Sequence, residues 1–487
     1  MVELRATYGH SNREGSRDLR WGKKLRARIR DQGVRHEAIG LALVVLIAFG
    51  VRVVWLETIP GNITADEADT LSTIFRIQVT GEPGPFELDW KPQPAMSMYL
   101  FSGFMAMFGN DIFGMRMASA ALSTLALLPF YALARRVVGP IAALGGAALL
   151  ASGLWYLNFS RSGWENIHVA FYALTAAWAL TVARERRQLR WFALAGAAAA
   201  LGLYGYFSGR FIIVALLVYA PFAIWQAAGH RWRMIAGYLL MTSTALLLFA
   251  PQIPAITEDY DKFNRRTEKV NVFNQPEPYR GEESDLGILK LQVERNVRGF
   301  FLFDGDVFSE GRATGRYGPR GETLYDPVTG VLLLAGLAIG LWRWRETALW
   351  WVMLFIPLIG TQIPSTNTPN GARALIAAPF IYLFITLVLD RAIDVARRHG
   401  RRLAVAGVVA GLVLLASFNV YQYFSWIQSP ETIETREPAV ELVDYDQWRE
   451  SVIDKYDRQS TGLHDGNRSQ SAGEQSWTPA RPGSLEQ

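Results

Sequence analysis

Residues 38–57 read AIGLALVVLIAFGVRVVWLE, and a short way on the chain continues Thr64-Ala65-Asp66-Glu67-Ala68-Asp69. A helix of about 20 residues with one interior charge, Arg52, is long enough to cross ~30 Å of hydrocarbon. Carboxylates that follow such a span sit where water, headgroups and apolar chains meet. An enzyme acting on a substrate with a lipid tail needs its base at that depth. Polar loops leaving a membrane are also commonly acidic, so the stretch decides the fold class and leaves the function open.

The rest of the chain carries the same pattern. Half of the 487 residues are hydrophobic, 12% are aromatic and only 19% are charged. Long uncharged runs recurring along most of such a chain indicate an all-α polytopic membrane protein. Further spans are expected at 113–134, 139–158, 166–183, 191–208, 211–228, 234–253, 327–342, 347–363, 372–389 and 402–424, which with the first makes eleven. The net charge of +5 lies in short basic clusters between spans, which is a topology signal and not a nucleic-acid footprint. With no cysteine, disulfides and thiolate metal sites are excluded.

Segment 94–109 is apolar but short, and it follows Pro92-Gln93-Pro94. If it lies in the interface, the N-terminal tail with its ten Lys/Arg, Arg135-Arg136, Arg184 to Arg187, Arg231 to Arg233, Arg343 to Arg345 and Arg391 to Arg402 all fall inside. If it crosses, every later loop changes side and the positive-inside bias inverts. The interfacial reading gives a basic cytoplasmic tail (1–37), a transmembrane module (38–253) whose first outer loop (58–112) holds two short interfacial helices, and an outer loop (254–326). C-terminal spans (327–424) and an outer tail (425–487) complete it, the tail's end being disordered by composition. The tail and first span read as an uncleaved signal anchor in the plasma membrane.

Ionisable residues collect at outer span ends. Asp66 lies in the first turn of a helix starting near Thr64, where the dipole favours a carboxylate, and it suits a general base. Glu67 fits either a capping box with Thr64 or a catalytic role. Lys91 in Asp89-Trp90-Lys91-Pro92-Gln93-Pro94 suits a phosphate, or a snorkelling cation. Arg161 and Glu165 add a cation and a carboxylate in one short turn, and Arg210 and Arg373 each lead into a span. Arginine's planar fork matches phosphate oxygens. Arg52 and Arg116 are expected to snorkel. The six histidines show no metal spacing, no nucleotide loop is present, and Gly145-Gly146 and Gly196 to Gly205 read as helix-packing surfaces.

The order Thr64-Ala65-Asp66-Glu67-Ala68, Trp90-Lys91-Pro92-Gln93-Pro94, Phe108-Gly109 with Arg116 to Ala120, Phe159-Ser160-Arg161 with Glu165, and Gly202 to Arg210 resembles the C-type glycosyltransferase superfamily. The likeness is to its family 39, the protein O-mannosyltransferase and aminoarabinose transferase group, and covers most of residues 40–390. It implies a membrane glycosyltransferase that takes a sugar from a polyprenyl-phosphate carrier at the extracytoplasmic face. By this resemblance Asp66 and Glu67 take the first-loop acidic positions, Lys91 meets the carrier phosphate, and Glu165 falls near the second-loop acid, where many relatives have Asp. The loop at 254–326 is too small for the folded module of protein O-mannosyltransferases, which counts against a protein acceptor. Expected partners are the donor lipid, an extracytoplasmic lipid, glycan or protein acceptor, and membrane lipids. No cofactor is required, and a divalent metal shared by Asp66 and Glu165 is compatible with the set. The alternative is a transporter or lipid-linked-sugar flippase, which would place charges mid-span on broken helices.

Overall fold

The computed structural model describes residues 35–89, 92–275, 279–309, 318–319, 321–398, 400, 402–435, 438–441 and 444–460. The first span forms α1 (Arg35–Val53). A short strand β1 (Asn62–Thr64) leads directly into α2 (Ala65–Thr80), which ends on Gly81 in the left-handed conformation. Helix α3 (Met96–Phe108) occupies the segment expected not to cross, and its 13 residues are short for a bilayer.

The next spans are α4 (Ile112–Leu125) continued by α5 (Leu127–Ala134), then α6 (Pro140–Ser152) and α7 (Leu154–Ser160). The pair α6/α7 bends by 62° across Gly153, so the span expected at 139–158 is broken. Helices α8 (Asn166–Arg186), α9 (Leu189–Leu203), α10 (Arg210–Gln226) and α11 (Arg231–Phe249) follow. The larger loop is helical, with α12 (Ile253–Glu258), α13 (Tyr260–Val270), α14 (Asp285–Phe301) and α15 (Gly305–Ser309). The C-terminal part holds α16 (Pro327–Trp342), α17 (Trp344–Gln362), α18 (Gly371–Ala374), α19 (Ala378–Arg398) and α20 (Arg402–Ile427). After it come α21 (Pro430–Thr435), β2 (Pro438–Glu441) and α22 (Tyr445–Ser460).

All eleven expected segments are helical. Among the described residues, seven helices are long and apolar enough to cross, or eight with the bent pair. Helices α9 and α16 are apolar but shorter. Helix α19 is the hub: 89% of its span window is buried, against 6% for α20, which lies at the periphery. Glycine allows the closest approaches. A Cβ on Gly196 would sit 2.2 Å from the Met241 carbonyl oxygen, so α9 and α11 meet backbone to backbone, and one on Gly336 would sit 2.4 Å from that of Phe384 in α19.

One expectation is corrected and two details are added. The fold is helical as expected, with one short antiparallel pairing of β1 and β2 that sets Ile63 opposite Val440. In the tail after 425, α22 packs on α2. Arg52 and Arg116 do not snorkel, since both side chains are fully buried. Arg52 donates to Ser123 Oγ at 3.0 Å and to the carbonyls of Ala48 and Ala151 at 2.9 and 3.1 Å. Buried guanidinium groups need such partners, because an unsatisfied one carries a large desolvation cost. The tail before residue 35 and the segment after 460, expected to be disordered, lie outside the described residues.

Candidate active site

The site begins at the start of α2. Thr64 caps the helix and Glu67 closes the capping box: the Glu67 N–H donates to Thr64 Oγ1, and the Thr64 N–H donates to Glu67 Oε2 at 3.2 Å. Glu67 is fully buried, and its Oε1 also accepts from Arg116 Nε at 2.9 Å and from the Gly163 N–H at 2.9 Å. The remaining Arg116 N–H groups reach the carbonyls of Leu56, Pro60 and Asn62 at 3.1–3.2 Å. This carboxylate therefore ties α2 to α4 and to the turn at 161–165. Its surroundings are those of a structural anchor, the capping-box alternative read from the sequence.

Arg161 is likewise engaged by the chain itself. Its Nη1 and Nη2 donate to the carbonyls of Val51, Arg52, Val54 and Ile59 at 2.7–2.9 Å, closing the orphan carbonyls at the end of α1. The guanidinium lies 4.9 Å from the Phe424 ring centre, and burial pushes its pKa below the usual arginine value. A fork so occupied is a helix cap and not a phosphate ligand.

Asp66 differs from its neighbour. It sits half-buried about 100° round the first turn from Glu67, with Asp69 and Thr73 on its own face. Thr73 Oγ1 reaches the buried Asp89 carboxylate at 3.3 Å, so the 81–95 loop is drawn against that face. The Asp89 N–H donates to the Gln93 carbonyl at 3.0 Å, and Gln93 Nε2 donates to Glu165 Oε1 at 2.8 Å. Asp89 and Gln93 are thus fixed between α2 and Glu165. Trp90 and Lys91 themselves lie outside the described residues.

The convergence point is Tyr206, between α9 and α10. Its ring packs edge-on to Trp164 at 5.7 Å, beside Glu165. Burial raises the pKa of its hydroxyl. Arg373 and Arg266 counter that shift, while Asp66 and Glu165 add to it. One hydroxyl thus feels two carboxylates and two arginines from four distant parts of the chain. Arg373 is held by a 2.7 Å bond from Nη1 to the Thr366 carbonyl. Arg210 stacks between the rings of Phe207 and Phe263, at 5.0 and 4.4 Å. Phe263 and Arg266 both belong to α13, whose Lys262 Nζ donates to the Leu88 carbonyl at 3.1 Å. The outer loop therefore roofs the site.

Of the expected residues, Asp66, Glu165 and Arg373 act electrostatically on the Tyr206 hydroxyl, Arg210 packs on Phe263 of the same roof, Glu67 pairs with Arg116, and Arg161 is held by backbone carbonyls. Sequence reasoning missed Gln93, Tyr206 and Arg266. Gln93 and Tyr206 stood inside quoted motifs, but nothing in their spacing gave them a role. Among the described residues, no three His, Asp or Glu side chains gather to hold a metal. Chemically, a carboxylate beside a cationic patch at a membrane border can take a proton from an acceptor while the arginines hold a phosphate.

Residues 92–254 match the family described as dolichyl-phosphate-mannose-protein mannosyltransferase. This segment includes Glu165, Tyr206 and Arg210, and Asp66 precedes it. A Pseudomonas aeruginosa (strain LESB58) undecaprenyl phosphate-alpha-4-amino-4-deoxy-L-arabinose arabinosyl transferase is 32% identical over 184 residues, which is 35% of this chain and 32% of that protein. A segment of the chain is thus similar to family-39 glycosyltransferases. A Pseudomonas fluorescens (strain Pf-5) transferase of the same name is 28% identical over 235 residues, covering 45% of this chain and 41% of that one. The chain spans about a third of the length of the first of these curated relatives. In fold, the structure of ArnT from Cupriavidus metallidurans bound to undecaprenyl phosphate superposes with a TM-score of 0.51 at 13% identity, covering 87% of this chain and 77% of that one. The family-39 likeness read from the sequence holds, and the chain is a helical multi-span membrane protein of this fold.

Proposed function

We propose that this protein transfers a sugar from a polyprenyl-phosphate carrier to an extracytoplasmic acceptor by a single displacement. The observation that carries the reading is the hydrogen-bonded run Thr73–Asp89–Gln93–Glu165, which ties the face of α2 that carries Asp66 to the turn at 161–165, beside the Arg210–Phe263 stack. Asp66 removes the acceptor's proton as its oxygen or nitrogen attacks the anomeric carbon. The bond from that carbon to the phosphate oxygen breaks, and the leaving phosphate keeps the electron pair. Arg373, Arg266 and Arg210, with Lys91 from between Asp89 and Gln93, oppose the charge that builds on it. Glu165 orients Gln93. The donor carries its own leaving group, so the chemistry requires no nucleotide, and no step is assigned to a metal.

The interactions at this site support eleven crossings. Asp66, Glu165, Tyr206, Arg266, Arg373 and Val440 belong to one side, so an even number of crossings separates each from the next. Helix α8 qualifies as a span, so α9 must return. The span α4/α5 pairs with the bent α6/α7, α10 with α11, α16 with α17, both packed on α19, and α19 with α20. With α1 the total is eleven, the N-terminus inside and the C-terminus outside. The concentration of ionisable groups at one end of the bundle favours transfer chemistry over a flippase.

Lipid extracts of a deletion strain test the reading. Accumulation of a polyprenyl-phosphate sugar is expected, and its identity names the donor; an unchanged lipid pool would contradict a transferase role. Aminoarabinose and mannose carriers are the first donors to try on purified protein, following the names of its relatives.

A further inference from the structure

The C-terminal tail returns to the one helix that carries Asp66. Strand β2 pairs with β1 in the register Asn62 to Glu441, Ile63 to Val440 and Thr64 to Pro438. Thr64 is also the cap of α2, so this pairing runs into the turn that presents Asp66. Asn62 Nδ2 adds a 3.1 Å bond to the carbonyl of Ile433 in α21. Helix α22 then lies along α2: Tyr456 and Ser72 share a hydroxyl hydrogen bond of 2.9 Å, Trp448 packs 6.4 Å from the Phe75 ring, and Arg449 stands 5.5 Å over the same ring. Val440 and Tyr445 complete the apolar cluster of Ile63, Leu71, Ile74 and Phe75.

The side of α2 used for this contact matters. Nine residues at about 100° each place Phe75 half a turn round the helix from Asp66. The tail therefore grips the back of α2, on the side away from Asp66. On its other flanks α2 meets α3 and, through Glu67 in its first turn, Arg116 of α4.

We propose that residues 430–460 are a positioning strap for Asp66. They set the depth and rotation of α2, and their loss lowers turnover without removing the donor's cationic seat. Helix α20, with little of its surface buried in the bundle, serves to deliver the strap to the outer face. This inference rests on the glycosyl-transfer reading of the Asp66 site.

The test compares full-length protein with a chain ending at Gln428, using a polyprenyl-phosphate sugar in detergent. The truncated chain is expected to keep its donor KM and the melting of its spans, while kcat falls by roughly ten- to a hundredfold, the usual effect of a 1 Å misplacement. A synthetic peptide of residues 430–460, added in excess, should restore much of kcat. If truncation prevents folding, full-length Trp448→Ala and Trp448→Phe decide: the first should lower kcat and the second retain it. Full kcat without the strap, or with Trp448→Ala, overturns the proposal. Asp66→Asn separates the two readings. An inactive Asp66→Asn beside a fully active truncated chain removes the strap alone, whereas an active Asp66→Asn removes both.

Discussion

Glu67→Gln separates an anchor from a catalyst. In the native protein the Glu67 carboxylate meets Arg116 at 2.9 Å, with both side chains fully buried. Removing one partner of such a pair costs about 3–5 kcal/mol, because the other charge is left uncompensated. Arg116 keeps its bonds to the Leu56, Pro60 and Asn62 carbonyls, and a glutamine oxygen can still accept one hydrogen bond. The loss should thus lie near the lower end, about 3 kcal/mol. The assay is inactivation on heating in detergent, with donor turnover followed on the surviving fraction. Glu67→Gln should inactivate several degrees earlier, yet turn over donor at a rate close to wild type at low temperature. Combining it with Arg116→Met should recover part of the stability, since an apolar replacement leaves no orphan charge. A Glu67→Gln protein as heat-resistant as wild type but inactive would refute the anchor and return Glu67 to the chemistry.

Other perturbations follow from the same contacts. Arg161→Met should destabilise the protein without raising the donor KM, because its fork caps α1; a selective rise in KM, read in the same transfer assay, would show a phosphate role. Arg373→Ala and Arg266→Ala should each raise the donor KM several-fold in that assay, since both cations act electrostatically on the Tyr206 hydroxyl; unchanged KM in both would remove them from the donor seat. Lys91→Ala should weaken donor use and Lys91→Arg retain part of it, as measured by binding of the carrier lipid. In this cysteine-free chain, Glu283→Cys and Asp457→Cys should react with an impermeant thiol reagent on intact cells, and Gln188→Cys only after permeabilisation; the reverse would overturn the topology.

The spans were legible because bilayer length and hydropathy constrain residues close in sequence. The cap at Thr64 was legible for the same reason: a capping box is complete within four positions. The roles of the arginines were not. Arg161 and Arg373 were both expected at outer span ends, and only the fold shows the first closing the carbonyls of Val51 and Arg52 while the second acts on the Tyr206 hydroxyl. An arginine fork fits carbonyl and phosphate oxygens alike, so residue type cannot choose between them. Arg266 was hidden in a loop whose length alone marked it, and the pairing of Ile63 with Val440 joins segments with no shared periodicity.

The proposed chemistry depends most on the proton acceptor. Asp66→Asn keeps size and polarity and leaves Glu67, Arg116 and the strap in place. Transfer from a polyprenyl-phosphate sugar should fall by about two to four orders of magnitude, the usual contribution of a positioned base. Carrier binding and heat stability, measured on the same preparation, should stay near wild type. Undiminished transfer by Asp66→Asn would contradict the assignment of Asp66 as the base.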